Sequence, residues 1–212
     1  MANLRITEIF YSIQGESYLS GWPSVFIRLT GCPLRCQYCD TAYAFQGGEI
    51  LSIEDILKQV AFYSPQYVCV TGGEPLAQKD CLFLLSQLCD RGYIVSLETS
   101  GALDILCVDS RVIKIVDLKT PGSGQSHKNF WSNFDKLLPH DQLKIVVCSY
   151  QDYQWAKHWL QNSNISQKQI VFSPSYHQVQ PSDLAEWILK DRLNVRMQVQ
   201  LHKVLWGDAP GK

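Results

Sequence analysis

"SVFIRLTGCPLRCQYCDT", residues 24 to 41, starts as a β-strand and ends with three cysteines inside eight positions. Apolar and β-branched residues run from Val25 to Leu29, and Gly31 and Pro33 then stop them, which reads as a strand entering a loop. Six further runs have the same character: residues 66–73, 93–101, 112–120, 142–149, 169–175 and 195–204. Helical stretches are expected between them. The segment 52–63 opens on Ser52 with Asp55 in capping-box spacing, and 79–92 ends on Gly92, suited to a left-handed cap. Two more follow at 150–161 and 181–191, the second with Pro181 at its start.

Strands alternating with helices imply βα units and a parallel sheet. Six or seven strands fall short of a full eightfold barrel, which takes about 250 residues. The expected fold class is therefore α/β, a partial (β/α) barrel; a doubly wound open sheet is the alternative. In both, ligands sit beyond the carboxyl ends of the strands. Polar and glycine residues fall there: Thr71 to Glu74, Glu98 to Ser100, Asp117 to Lys119 and Ser173 to Ser175. No repeat, low-complexity tract or linker divides the 212 residues, so one domain over 1–212 is expected.

Composition narrows the function classes. Hydrophobic residues make up 46% and charged residues 18%, a balance typical of a globular chain. A formal net charge of -1 gives no electrostatic ground for nucleic acid or an anionic membrane as partner. The N-terminus lacks the pattern of a signal peptide, and no run approaches a transmembrane span, so a cytoplasmic location is expected. In that reducing compartment eight cysteines do not form a disulfide framework. Cys69, Cys81, Cys89, Cys107 and Cys148 are scattered, and read as small buried hydrophobes.

Cys32, Cys36 and Cys39 are different, because they cluster among turn and polar residues. A zinc site would need a fourth ligand, and no histidine shows paired spacing. A thioredoxin-like pair would leave Cys32 surplus. An iron–sulfur cube that only carries electrons takes four thiolates. Three leave one iron open to a substrate or cofactor.

Cys-x3-Cys-x2-Cys with Tyr38 before the last cysteine, and "GGEP" at 72–75 after the next strand, resembles the radical S-adenosylmethionine superfamily. Beyond the cluster, "IFYSIQGES" (9–17), "VFIRLTGCPLRCQYCDT" (25–41) and "VQLHK" (199–203) resemble the 7-carboxy-7-deazaguanine synthase family, over nearly the whole chain. The resemblance implies a carbon–nitrogen lyase of deazapurine and queuosine biosynthesis. Reductive cleavage of S-adenosylmethionine would give a radical that takes hydrogen from C6 of 6-carboxy-5,6,7,8-tetrahydropterin. The ring contracts, ammonia leaves and the hydrogen returns. A 4Fe-4S cluster, S-adenosyl-L-methionine and Mg²⁺ are the implied cofactors, with a flavodoxin- or ferredoxin-like electron donor and a homodimeric assembly.

Carried over residue by residue, Cys32, Cys36 and Cys39 hold the cluster, and Thr41 offers its hydroxyl to Mg²⁺. Tyr38, Cys39, Asp40, Gly73, Glu74, Asp117, Lys119 and Ser173 contact S-adenosylmethionine. Ile13, Gln14, Gly15 and Glu16, a short N-terminal substrate-binding extension, meet the pterin together with Arg28, Thr71 and His202. Arg28 is the natural partner of the substrate carboxylate, because a guanidinium pairs with one in bidentate fashion. No catalytic side chain is expected, since the radical arises on the cofactor.

One feature departs from the family pattern. Short-tailed members end soon after the His-Lys pair and use their terminal carboxylate on substrate, whereas "VLWGDAPGK" continues here, so either a different tail geometry supplies that contact or Asp208 stands in for it. The rivals are a glycyl-radical activating enzyme with a similar cluster loop and, from another class, a zinc-binding structural module.

Overall fold

The computed structural model describes residues 2–166, 169–209 and 211. Among them nine strands form one sheet: β1 (Asn3–Ile13), β2 (Pro23–Leu29), β3 (Glu49–Ser52), β4 (Tyr67–Gly72), β5 (Ile94–Thr99), β6 (Ile113–Asp117), β7 (Gln142–Val147), β8 (Ile170–Pro174) and β9 (Arg196–Met197). Their order is β3-β1-β2-β4-β5-β6-β7-β8-β9. From β2 to β9 every neighbour is parallel, while β1 pairs antiparallel with β2 and β3. With β3 and β9 at opposite edges the sheet stays open, so the architecture is a partial (β/α) barrel.

Helices α1 (Ile53–Phe62), α2 (Cys81–Asp90), α3 (Tyr150–Gln161) and α4 (Pro181–Asp191) supply four of the crossovers, while the connections β5–β6 and β6–β7 carry no α-helix. Ser52 caps α1 by accepting from the Asp55 backbone N–H, and Gly92 takes the left-handed conformation (φ +82°) beyond α2. The apolar stripes of the helices meet one face of the sheet in a single core. Ile56 and Val60 of α1, Leu84 and Leu88 of α2, and Leu184 and Ile188 of α4 pack there with Val25, Ile27, Leu29, Val68 and Val70. Each such side chain contributes about 1.5–3 kcal/mol through burial.

The two-residue period of a strand then assigns the opposite face. Between the core residues of β2 lie Phe26 and Arg28; between those of β7 lie Lys144 and Val146; β5 and β6 contribute Glu98, Ile115 and Asp117. All seven line one cavity. A parallel sheet usually reads as a continuous apolar run, and these polar interruptions mark the face that is not core.

Three expectations need correcting. The segment 195–204 is not one strand: β9 covers only Arg196–Met197, and Leu201–Trp206 form a short helix, α5. The alternation of Val195, Met197, Val199 and Leu201 is present in the sequence, but only Arg196 and Met197 pair with β8, opposite Val171 and Phe172. Instead the Gln198 side chain exchanges hydrogen bonds with the Ser17 backbone (2.7 and 3.1 Å), and the Leu201 N–H donates to the Gly15 carbonyl (3.0 Å). Strands β1 and β3 were not expected. A bulge between Ile6 and Glu8 breaks the period of β1, and β3 is four residues long and runs straight into α1. Third, of the five scattered cysteines Cys107 is exposed, while Cys69 and Cys81 are buried.

At the start of α3 the buried Asp152 holds three segments together. Its carboxylate accepts from the Gly122 N–H (2.8 Å), the Thr120 hydroxyl (3.0 Å) and the Cys148 N–H (3.2 Å). Asp152→Ala strands these donors and is expected to cost about 3 kcal/mol. At this chain length thermal unfolding should fall by roughly 6–12 °C, readable by circular dichroism.

Candidate active site

The cysteine loop leaves β2 at the carboxyl end of the sheet and is fixed by its backbone. Gly31 N–H donates to Ala44 (2.8 Å), and Gln37 N–H donates to Ser123 (3.1 Å). The next strand end closes against it: Gly73 N–H donates to Leu29 (3.0 Å) and Glu74 N–H to Gly31 (2.8 Å). A Cβ on Gly73 would stand 2.1 Å from the Gly31 carbonyl oxygen and 3.0 Å from Cys32 Cβ. Only glycine lets the two loops touch, which is a physical reason for the second glycine of "GGEP".

Cys32, Cys36 and Cys39 are free thiols, each half-buried, and they line a cavity of about 380 Å³. Burial, with neighbouring carboxylate and thiol charge, pushes all three thiols up, so a metal's charge would be needed to ionise them. Among the described residues no three His, Cys, Asp or Glu side chains converge on a position for one metal ion. A zinc ion draws its sulfurs to within about 4 Å of one another. A cube seats each thiolate on a separate iron and lets them stand further apart. Three thiols lining one cavity are the donor set that a cube with one open iron requires.

Next to the cysteines, Tyr38 and Asp40 face the same cavity, as do Asp117 and Lys119 at the end of β6. Lys119 Nζ donates to Asp117 (2.8 Å) and stands 3.5 Å from the Tyr38 hydroxyl. Burial alone would lower the Lys119 ammonium, but Asp117, with Tyr38 and Cys36 behind it, holds it well above the usual lysine value. The other Asp117 oxygen is buried with no hydrogen-bond partner among the described residues. A buried, unsatisfied carboxylate oxygen beside a cavity is an acceptor ready for a ligand's hydroxyl or ammonium.

A second group of side chains belongs to the N-terminal half and the tail. The loop after β1 crosses the mouth of the barrel and puts Ile13, Gln14, Gly15 and Glu16 against the cavity. Arg28 Nε donates to Glu8 (2.7 Å), with its guanidinium between the Phe10 and Tyr43 rings, at 5.7 and 5.8 Å. Phe10 stacks on Phe26 with centroids 5.0 Å apart, making an apolar wall beside that charge. His202 lies so close to Gly15 that a Cβ there would meet its Nδ1 at 2.1 Å. Burial lowers the His202 imidazole below its usual value, which favours the neutral ring.

Two expected residues do not reach the cavity. Glu74 is fully buried, and its carboxylate accepts from Leu76 N–H (2.9 Å), from the Thr99 hydroxyl (2.9 Å) and from both the N–H and the hydroxyl of Ser100. It ties the β4 loop to β5, and what faces the cavity is Gly73, Thr99 and Ser100. Ser173 is buried inside β8, and Ser175 two positions on lines the cavity in its place. Thr41 does line it, and its hydroxyl donates to Asp40 (2.7 Å).

Glu98, Lys144 and Lys203 also line the cavity, though none of them was assigned a ligand contact from the sequence. Glu98 accepts from Thr71 Oγ1 (3.1 Å), and burial and then the Glu16 charge push its carboxyl up. Lys144 is ion-paired with Glu16. Lys203 donates to Asp208 (2.6 Å), so the tail aspartate also comes to the cavity rim. Strand alternation could have found Glu98 and Lys144, since each breaks an otherwise apolar β-run.

Residues 26–119 match the family model described as the radical SAM superfamily. The chain is 49% identical to the 7-carboxy-7-deazaguanine synthase of Chlorobaculum tepidum, over 99% of this chain and 98% of the relative. It is 39% identical to that of Koribacter versatilis, over 96% and 97%. Among solved structures, QueE from Escherichia coli superposes with a TM-score of 0.76 at 24% identity, covering 95% of this chain and 96% of that one. Streptococcus suis SuiB bound to S-adenosylmethionine superposes at 0.54 and 16% identity over 80% of this chain and 45% of that one. A thiol triad fit for a cluster, an open barrel and these full-length likenesses agree, and the chain belongs to the 7-carboxy-7-deazaguanine synthase family of the radical S-adenosylmethionine superfamily.

Proposed function

We propose that the chain is a 7-carboxy-7-deazaguanine synthase, contracting 6-carboxy-5,6,7,8-tetrahydropterin with loss of ammonia. One observation carries the reading: the three thiols share a single cavity with Gln14, Glu16 and Arg28. A cluster site and a polar, carboxylate-ready pocket open onto one another.

Cys32, Cys36 and Cys39 would hold the 4Fe-4S cluster, and Tyr38, Asp40, Gly73, Asp117 and Lys119 would hold S-adenosylmethionine. Bound there, the two supply hydrogen-atom abstraction. This chain's residues bind, orient and shield. Arg28 takes the substrate carboxylate, because its Nε is already fixed by Glu8 and the rest of its donor fork remains for a ligand. Glu16 and Gln14 offer acceptors to the amine and amide edge of the pterin. The Phe10–Phe26 wall keeps water from the reacting carbon. Thr41 is the hydroxyl available to Mg²⁺, which keeps most of its shell from water and substrate. The loop at 13–16 serves as the substrate-binding part of a single domain. A flavodoxin- or ferredoxin-like donor and a second copy of the chain complete the expected partners.

The test is anaerobic turnover. The reconstituted chain with S-adenosylmethionine, a strong reductant and the carboxytetrahydropterin should yield 7-carboxy-7-deazaguanine and ammonia in equal amounts. No product from an iron-loaded chain that still cleaves S-adenosylmethionine would overturn the assignment. It would favour the glycyl-radical activase, whose substrate is a protein.

A further inference from the structure

Lys144 projects from the middle of β7 into the cavity, 15% exposed, and forms an ion pair with Glu16, itself 6% exposed. The two residues lie 128 positions apart in sequence. Lys144 meets a convergence of negative charge: Glu16 from the loop after β1, Asp117 from β6 and Glu98 from β5. Glu16 in turn meets Lys144, His202 from α5, and Gln200, whose Nε2 donates to its other oxygen at 2.6 Å. Glu98 also feels Arg28 on β2, and Asp40 in the cysteine loop feels Lys144, Lys203 and His202.

We propose that Lys144 is a positioning residue for substrate binding, clamping the Glu16 side chain so that its remaining lone pairs and the Gln14 amide present a fixed edge to the substrate. The proposal rests on the function given above, in which Glu16 accepts from the substrate's amine and amide. Lys144 acts through Glu16 and need not touch substrate. Three features argue for a clamp over a merely structural pair. It joins the loop at 14–17 to the opposite side of the sheet, where no strand pairing holds that loop. It is a cation common to three carboxylates around the cavity, so its loss leaves Glu16 facing Glu98 with less compensating charge. And it lies on the cavity face of β7, away from the helix-packed core formed by Leu143 and Ile145.

The charge balance gives the sign of a pH effect. Burial pushes the Glu16 carboxyl up, but Lys144 first, then His202 and Gln200, bring it below its ordinary value. Without Lys144 the burial and the nearby Glu98 dominate, so Glu16 takes up a proton at higher pH. A protonated Glu16 has lost acceptor capacity, and substrate affinity then falls as the pH is lowered.

The experiment compares wild type, Lys144→Met and Lys144→Arg, each reconstituted with iron and sulfide. Equilibrium binding of the carboxytetrahydropterin is measured by anaerobic fluorescence titration, and turnover is followed from pH 6 to 9. For Lys144→Met we expect KM and Kd for the pterin to rise about tenfold, with iron content and S-adenosylmethionine cleavage unchanged. The acid limb of kcat/KM should move to higher pH, and Lys144→Arg should restore both affinity and profile. Unchanged Kd and an unmoved acid limb in Lys144→Met would overturn the proposal, as would a loss of affinity that is the same at every pH. Absence of product from the wild type would instead overturn the assigned function and leave the clamp to be judged on Glu16→Gln, whose stability should fall no further when Lys144→Met is added.

Discussion

Cys36→Ala is expected to fold, to bind no iron–sulfur cluster and to lose S-adenosylmethionine cleavage altogether. Alanine keeps every backbone bond that holds the cysteine loop in place: Gly31 to Ala44, Gln37 to Ser123, and Cys39 N–H to the Cys36 carbonyl at 3.2 Å. The half-buried thiol is thus needed for chemistry and not for the loop's path. Two remaining thiolates cannot seat three irons of a cube, so iron should fall from about four per chain to near zero. The brown absorbance should vanish with it. Cys107→Ala is the control, since its thiol is exposed and lies outside the cavity; iron content and activity should match wild type. A Cys36→Ala chain that retained a full complement of iron would show that another ligand serves, and the reading of the triad would fall.

How much of this was legible beforehand follows from the periods involved. Six of the parallel strands, β2 and β4 to β8, and the four crossover helices announce themselves because each buries one face, and burial writes a regular pattern into the sequence. The loop at 32–39 was legible for another reason: its ligands are local, so their spacing is the signal. Strand β1 was hidden by the bulge at Ile6/Glu8, and the tail was misread because, of the alternating run from Val195 to Leu201, only Arg196 and Met197 pair with β8. Glu74 shows a different limit. Its position at a strand end suggested a ligand contact, yet its four hydrogen bonds to Leu76, Thr99 and Ser100 are made by residues brought there only by folding. Lys144 could have been noticed as a charge amid "LKIVV", but its partner Glu16 is fixed by tertiary structure alone.

Arg28→Met should raise the KM for the carboxytetrahydropterin and lower kcat/KM by about 100-fold while leaving the cluster in place. The charge sits on the cavity face of β2, and its register is fixed on both sides, opposite Glu8 of β1 and Thr71 of β4. Burial alone would lower its pKa, yet Tyr43, Glu8 and Glu98 more than offset this, so the guanidinium is fully charged and meets a substrate carboxylate without reorganising. Charge-assisted hydrogen bonds contribute about 1.5–3 kcal/mol, and about 2.7 kcal/mol corresponds to a factor of 100 in rate. Methionine keeps much of the apolar stem between Phe10 and Tyr43 and leaves Glu8 with the Tyr43 hydroxyl at 2.8 Å, so folding should suffer little. Arg28→Lys should recover only a small part of the loss, because an ammonium cannot bind Glu8 and a carboxylate through one planar fork. Since the carboxylate sits on the carbon that reacts, its displacement should also uncouple the two halves of the reaction. S-adenosylmethionine would be consumed with less deazaguanine formed per cleavage. An unchanged KM in an iron-replete Arg28→Met chain would mean that the carboxylate binds elsewhere, with Lys144, His202 and Lys203 among the other basic groups lining the cavity.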